Sequence, residues 1–119
     1  MSDNRLDHEV AGGVKDGRMW KVIERFLGSM HWYCGYVELL PQDYYYFHPR
    51  EAEDELPAPG GITYTTDGYG PLEGLPEEAK FIGFDTNHAF MENYMHLQAV
   101  NETIELAELL NDLEGSPYE

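Results

Sequence analysis

RMWKVIERFLGSMHWYCGYVELL, residues 18–40, can be laid out either on a helix or on a pair of strands. Trp20, Ile23, Leu27 and Met30 recur at intervals of three and four, the spacing of one helical face. Gly28-Ser29 breaks that run, and the residues from His31 to Leu39 are of strand type. Trp32, Tyr33, Tyr36 and Val37 carry the aromatic and β-branched side chains that fit a pleated surface. The favoured reading is a hairpin, with strands over 19–26 and 32–40 joined across Leu27–His31 and the second strand stopped by Pro41. The helix stays open as the alternative.

Upstream, residues 1–17 carry few apolar side chains, two adjacent glycines and mixed charge, and read as a loose N-terminal arm. Asp16-Gly17 is a turn dipeptide, so a single domain is expected over 18–119. Downstream, residues 41–60 form a long connection with a Tyr44-Tyr45-Tyr46-Phe47 cluster, His48-Pro49, and the acids Glu51, Glu53, Asp54 and Glu55. Long connections without regular structure are usually functional or mobile. Gly60 to Thr65 reads as a short strand entered through two glycines. A turn-rich loop then leads to Lys80-Phe81-Ile82-Gly83-Phe84-Asp85, the most apolar strand and an expected central strand with a loop at its C-terminal edge.

Beyond His88 the period changes. Leu97, Val100, Ile104, Ala107 and Leu110 recur at three and four, broadened by Leu106, Leu109 and Leu113, with Glu102, Glu105 and Glu108 on much of the opposite face. Gly115 and Pro117 end this helix. A helix with so wide an apolar stripe needs a sheet to lie against. The fold class is therefore α+β: a small antiparallel sheet with a C-terminal amphipathic helix packed on one face.

Composition bounds the function. A chain of 119 residues is one domain's worth, and 42% apolar with 13% aromatic residues is globular rather than disordered. Seven Lys+Arg against 23 Asp+Glu give a net charge of −16. That excludes nucleic acid held by a basic patch and a polybasic membrane surface as direct partners. No apolar run has the roughly 18–20 residues of a spanning helix, and the polar start is no signal peptide. Cys34 is the single cysteine, which excludes an internal disulfide and a Cys-rich zinc site and makes a cytoplasmic location the expectation.

Few constellations can carry chemistry. Asp85-Thr86-Asn87-His88 follows the apolar strand, where a scaffold commonly presents reactive groups. Asp85 and His88 fit an acid–base pair or two metal ligands; the commoner roles are a capping carboxylate and a histidine bonded to backbone. His48 could join His31 and His88 in a three-ligand site, or pair with Asp85, although no His-Glu-x-x-His motif is present. Cys34, within a β-rich run of an acidic protein, reads as a buried structural thiol rather than a nucleophile. Gly60-Gly61 precede a strand and have no lysine near, so they are not a phosphate cradle. No cofactor is implied. Carboxylates at 51, 53, 54 and 55, at 73, 77 and 78, and at 102, 105 and 108 could imitate a DNA backbone. Plain solubility or salt adaptation explains them as well.

Tyr33-Cys34-Gly35-Tyr36-Val37, His48-Pro49, Gly60-Gly61-Ile62-Thr63-Tyr64 and Phe81-Ile82-Gly83-Phe84-Asp85-Thr86-Asn87-His88 occur in one order, closed by the Glu-rich helix around Thr103–Leu109. The series resembles a family of small uncharacterised bacteriophage and prophage proteins. Their pattern runs Cys-Gly-Tyr-Val, His-Pro, His-Gly-Gly-Leu-Thr and Gly-Phe-Asp-Cys-Ala-His. The resemblance spans residues 31–113 and carries the family's polar positions to His48, Asp85 and His88. It departs at Pro59, where the family has histidine, and at Thr86, where it has cysteine. Any metal or catalytic site built on those two positions is incomplete here, which weakens an enzyme reading.

What the resemblance implies is provenance, and it lends no reaction. From viral provenance and small size the expectation is a non-catalytic binding or inhibitory protein acting on a host component, such as a defence or transcription protein or a small signalling molecule. Tyr44, Tyr45, Tyr46, His48, Asp85, Asn87 and His88 are the expected binding residues, since tyrosines give large contact area at low entropy cost. Two alternatives stand beside it: a small metal-assisted hydrolase using His48, Asp85 and His88, and an acidic DNA mimic. A homo-oligomer is expected if one sheet face or edge is left open.

Overall fold

The structure, a computed structural model, describes residues 8–27, 30–56, 58, 61–65, 79–85 and 96–113. In chain order the elements are β1 (His8–Lys15), β2 (Arg18–Leu27), β3 (Met30–Leu39), α1 (Tyr44–Phe47), a 3₁₀ turn (Pro49–Glu51), α2 (Ala52–Glu55), β4 (Tyr64–Thr65), β5 (Lys80–Asp85) and α3 (His96–Leu113). The strands form one sheet in the order β1-β2-β3-β5-β4, every neighbouring pair antiparallel. The class is α+β.

Residues 18–40 form the hairpin. β2 and β3 pair from Trp20↔Val37 to Leu27↔Met30, so the strands run closer to Gly28-Ser29 than the sequence suggests. The helical spacing of the same stretch has a physical origin. Val22 and Ile23 are adjacent, point to opposite faces of the sheet, and are exposed by only 0% and 2%. A strand buried on both sides loses the one-sided alternation by which strands are recognised.

The loose arm expected over residues 1–17 is corrected for its described part. His8–Lys15 is a full strand, β1, on the edge of the sheet, and the domain includes it rather than opening at Arg18. Asp16 (φ 51°) and Gly17 (φ 85°) form a two-residue turn with both φ positive, the geometry whose twist matches that of paired strands. The glycines that made this segment look unstructured have a packing reason: a Cβ on Gly13 would stand 3.2 Å from the Trp20 indole. Residues 41–60 are likewise not structureless, since α1, the 3₁₀ turn and α2 follow one another there.

α3 lies across β1, β2 and β3. Its Leu106, Ala107 and Leu110 pack with Val37, Leu39, Ile82 and Phe84, and Tyr45, Ala52, Leu56 and Ile62 complete this cluster. Gly35 lets the helix approach, because a Cβ there would come within 2.1 Å of Thr103 Oγ1. Leu97, counted in the apolar stripe, is 68% exposed near the start of the helix. The opposite face has its own buried cluster of Ile23, Cys34, Tyr36, Tyr64 and Phe81, flanked by Met19 and Trp32. Of the face or edge expected to be open, the second face is buried at these residues, and β1 and β4 are the outer strands of the sheet among the described residues. Among the described residues no helix is long and apolar enough to cross a membrane.

Candidate functional site

α1 is held from beneath by a buried ion pair. Arg18, at the start of β2, is 0% exposed, and its guanidinium donates through Nη1 and Nη2 to both carboxylate oxygens of Asp43, which directly precedes α1. The remaining donors reach the Glu38 carbonyl (2.9 Å) and Asn111 Oδ1 (2.9 Å) on α3. Asp43 also accepts the Leu40 N–H at 2.7 Å, and Asn111 Nδ2 donates to the Lys15 carbonyl at 3.0 Å. Residues 15, 18, 38, 43 and 111 are thus tied in one network. Asp43 does not cap α1 through its side chain, because Arg18 and Leu40 occupy its oxygens.

The aromatic turn then sorts its four rings. Tyr45 points inward: it is 2% exposed within the α3-side cluster, and its hydroxyl donates to Glu55 Oε1 at 2.7 Å. Its expected role as a contact residue is corrected, since a ring buried on one side of a helical turn offers no surface. Tyr44 and Tyr46 are half-buried. Tyr44 stacks on His48 (centroids 4.6 Å apart, planes at 23°) and donates to Glu51 Oε1 at 2.6 Å. The other Glu51 oxygen lies 3.6 Å from His48 Nδ1. Phe47 is the outermost ring, 70% exposed.

Lys80, opening β5, fastens this turn to the sheet. Its ammonium donates to the Tyr46 carbonyl at 3.0 Å and stands 4.3 Å above the Tyr46 ring and 5.7 Å from that of Phe47. Glu51, Glu53, Asp54 and Glu55 are all exposed alongside. The result is a surface tied down by these contacts, with aromatic rings at its centre and a carboxylate rim.

Asp85 does not belong to that surface. Lys80 pairs with Leu39, and Asp85 pairs with Cys34, at the far end of β5. Five steps along the strand separate them, about 17 Å at the usual rise. His48 and Asp85 are therefore not brought together, and a shared acid–base or metal site of these two is corrected. Asp85 accepts from Thr63 Oγ1 at 3.3 Å instead. Thr86, Asn87 and His88, and so the Asp85–His88 pairing, lie outside the described residues. Among the described residues no group of three His, Cys, Asp or Glu is placed to hold a metal ion.

Near Asp85 the second face holds a polar core that sequence reasoning missed. Arg25 donates to the Tyr36 hydroxyl through Nη2 (2.8 Å) and Nε (3.3 Å). Cys34 is buried beside them, and burial pushes its thiol pKa up by more than the neighbouring Tyr36 and Arg25 lower it. Tyr36 is raised too, mainly by burial. Both groups are held neutral, as suits structure rather than nucleophilic attack. Arg18, Asp43, Lys80 and Phe47 were also absent from the expected site. Phe47 could have been found from its place in the aromatic cluster; the cations pair across 25 and 34 residues, which no local pattern reveals.

Comparison with known proteins adds no assignment: no family model matches the chain, and no curated protein or solved structure matches it.

Proposed function

We propose that this chain is a non-catalytic binding protein of phage type that occupies a surface on a host protein, using the aromatic turn and its acidic rim. The observation that carries the reading is Phe47, a large apolar side chain 70% exposed on a turn anchored by a buried ion pair and by Lys80. Exposed aromatic residues set on a rigid support are the usual anchors of protein interfaces, and a preorganised anchor loses little entropy on docking. Tyr44, Tyr46 and His48 extend the contact, and Glu51 to Glu55 suit a partner with basic residues around an apolar pocket. The phage origin rests on the resemblance of residues 31–113 and supplies the host as the place to look.

The test is capture from host lysate with the wild-type chain beside Phe47→Ala and Tyr44→Ala. The expected result is a partner retained by wild type and weakened at least about tenfold by Phe47→Ala, the cost of losing one anchor of about 1.4 kcal/mol or more. Capture unchanged in both variants refutes the reading. Displacement of the partner by duplex DNA would instead favour the acid-rimmed surface as a mimic of the phosphate backbone.

A further inference from the structure

Tyr46 and Phe47 set two rings edge to face, with centroids 4.9 Å apart and planes at 72°, and a cation already lies against them. Lys80 Nζ stands 4.3 Å from the Tyr46 centroid and 5.7 Å from that of Phe47. Here the electron-rich faces of aromatic rings meet positive charge. Lys80 comes from the sheet and donates to the Tyr46 carbonyl, so it fills the inner side of the turn. Phe47 is 70% exposed with Lys80 in place.

The charge beside the rings is of one sign. Glu51, Glu53, Asp54 and Glu55 are exposed within five residues, against the guanidinium of Arg50. Other described cations are engaged elsewhere: Arg18 with Asp43, Lys15 with Glu108, Lys21 with Glu9, and Arg25 with the Tyr36 hydroxyl. The Tyr44 hydroxyl holds Glu51 at 2.6 Å and the Tyr45 hydroxyl holds Glu55 at 2.7 Å. Rings and carboxylates are thus parts of one arrangement, joined by hydrogen bonds within the turn.

The geometry points to arginine side chains as the part of the partner that covers this surface, one guanidinium lying flat on the Phe47 ring and others facing the carboxylates of residues 51–55. This inference rests on the aromatic turn being the docking surface and adds the chemistry of what docks there. A guanidinium is planar and weakly hydrated, so it stacks on a ring that meets water and still offers its N–H fork to a carboxylate. An ammonium is strongly hydrated and keeps its water at so exposed a ring, and Lys80 already meets this pair from inside. An apolar side chain would use the ring and leave the carboxylates without a counter-charge.

The test titrates the full chain with two blocked peptides of equal charge, three Gly-Arg repeats and three Gly-Lys repeats. Backbone amide NMR shifts are followed at about 0.15 M salt, which limits attraction at long range. The arginine peptide is expected to shift the amides of residues 46–48 and 51–55, and to bind at least about threefold more tightly than the lysine peptide. Phe47→Ala leaves the net charge at −16 and is expected to remove that advantage. Phe47→Leu, which keeps the bulk and loses the ring, is expected to remove it as well. Glu53→Gln together with Asp54→Asn is expected to weaken both peptides alike, by about twofold or more. Equal affinity of wild type for the two peptides overturns the inference. So does an arginine preference that survives in either Phe47 variant, binding indifferent to the loss of the two carboxylates, or shifts centred on Glu102, Glu105 and Glu108 of α3. Lysate capture separates this inference from the reading beneath it. Capture that depends on Phe47 while the two peptides bind alike keeps the docking surface and rejects the guanidinium. Capture indifferent to Phe47 rejects the surface itself.

Discussion

Gly35 shows how little room single residues have in this sheet. It lies under α3, and an added Cβ would stand 2.1 Å from Thr103 Oγ1 and 2.6 Å from the Phe84 ring. Gly35→Ala is expected to destabilise the fold by about 2–3 kcal/mol, as overpacking of a filled core does, measured by urea denaturation. Tyr45 and Phe47 provide the opposite contrast within one turn. Tyr45→Ala should cost about 3–5 kcal/mol of stability because its ring is buried, whereas Phe47→Ala should stay within about 0.5 kcal/mol of wild type. On the second face, Cys34 and Tyr36 have folded pKa values above their ordinary 9.0 and 10.0. The unfolded chain loses these protons first, so the stabilisation is complete below about pH 9 and is lost as pH rises through the alkaline range. Denaturation midpoints from pH 8 to 11 should fall about as expected for this linkage, and the fall should be smaller in Tyr36→Phe.

At the scale of elements, the buried pair between Arg18 and Asp43 decides how α1 sits. Asp43→Ala leaves the Arg18 guanidinium buried without its counter-charge, and a loss of about 3–5 kcal/mol in unfolding free energy is expected. The same substitution should release the aromatic turn, visible as faster hydrogen exchange at Tyr46 and His48. The sequence showed α3 and β5 clearly, because a long 3.6-residue period and a compact apolar run are local signals. It showed the β2–β3 hairpin with a rival, because Val22 and Ile23 are buried on opposite faces and blur the alternation. It hid β1, where Ala11-Gly12-Gly13 gives no apolar pattern and only the Asp16-Gly17 turn marks a hairpin. The candidate site was legible as residue types but not as a place. Nothing local tells that Tyr45 turns inward, that Lys80 comes to Tyr46, or that Asp85 stands at the other end of its strand.

Over the whole molecule the governing quantity is a net charge of −16 on 119 residues. Self-repulsion of that size opposes compaction and is screened by ions. Stability is expected to rise with sodium chloride between about 0.01 and 0.5 M, where the Debye length falls from about 30 Å to a few ångströms. A denaturation midpoint that stays flat over this range would show that the carboxylates are spaced widely enough not to oppose folding. The clasp of Arg18, Asp43 and Asn111 has a further bearing on how the chain is made. Its members are separated by 25 and 93 residues of sequence, measured from Arg18. During synthesis, therefore, Arg18 lacks part of its final coordination until residue 111 has left the ribosome. The clasp beneath the aromatic turn is therefore complete only after nearly the whole described chain has been made, although Arg18 and Asp43 are both available much earlier.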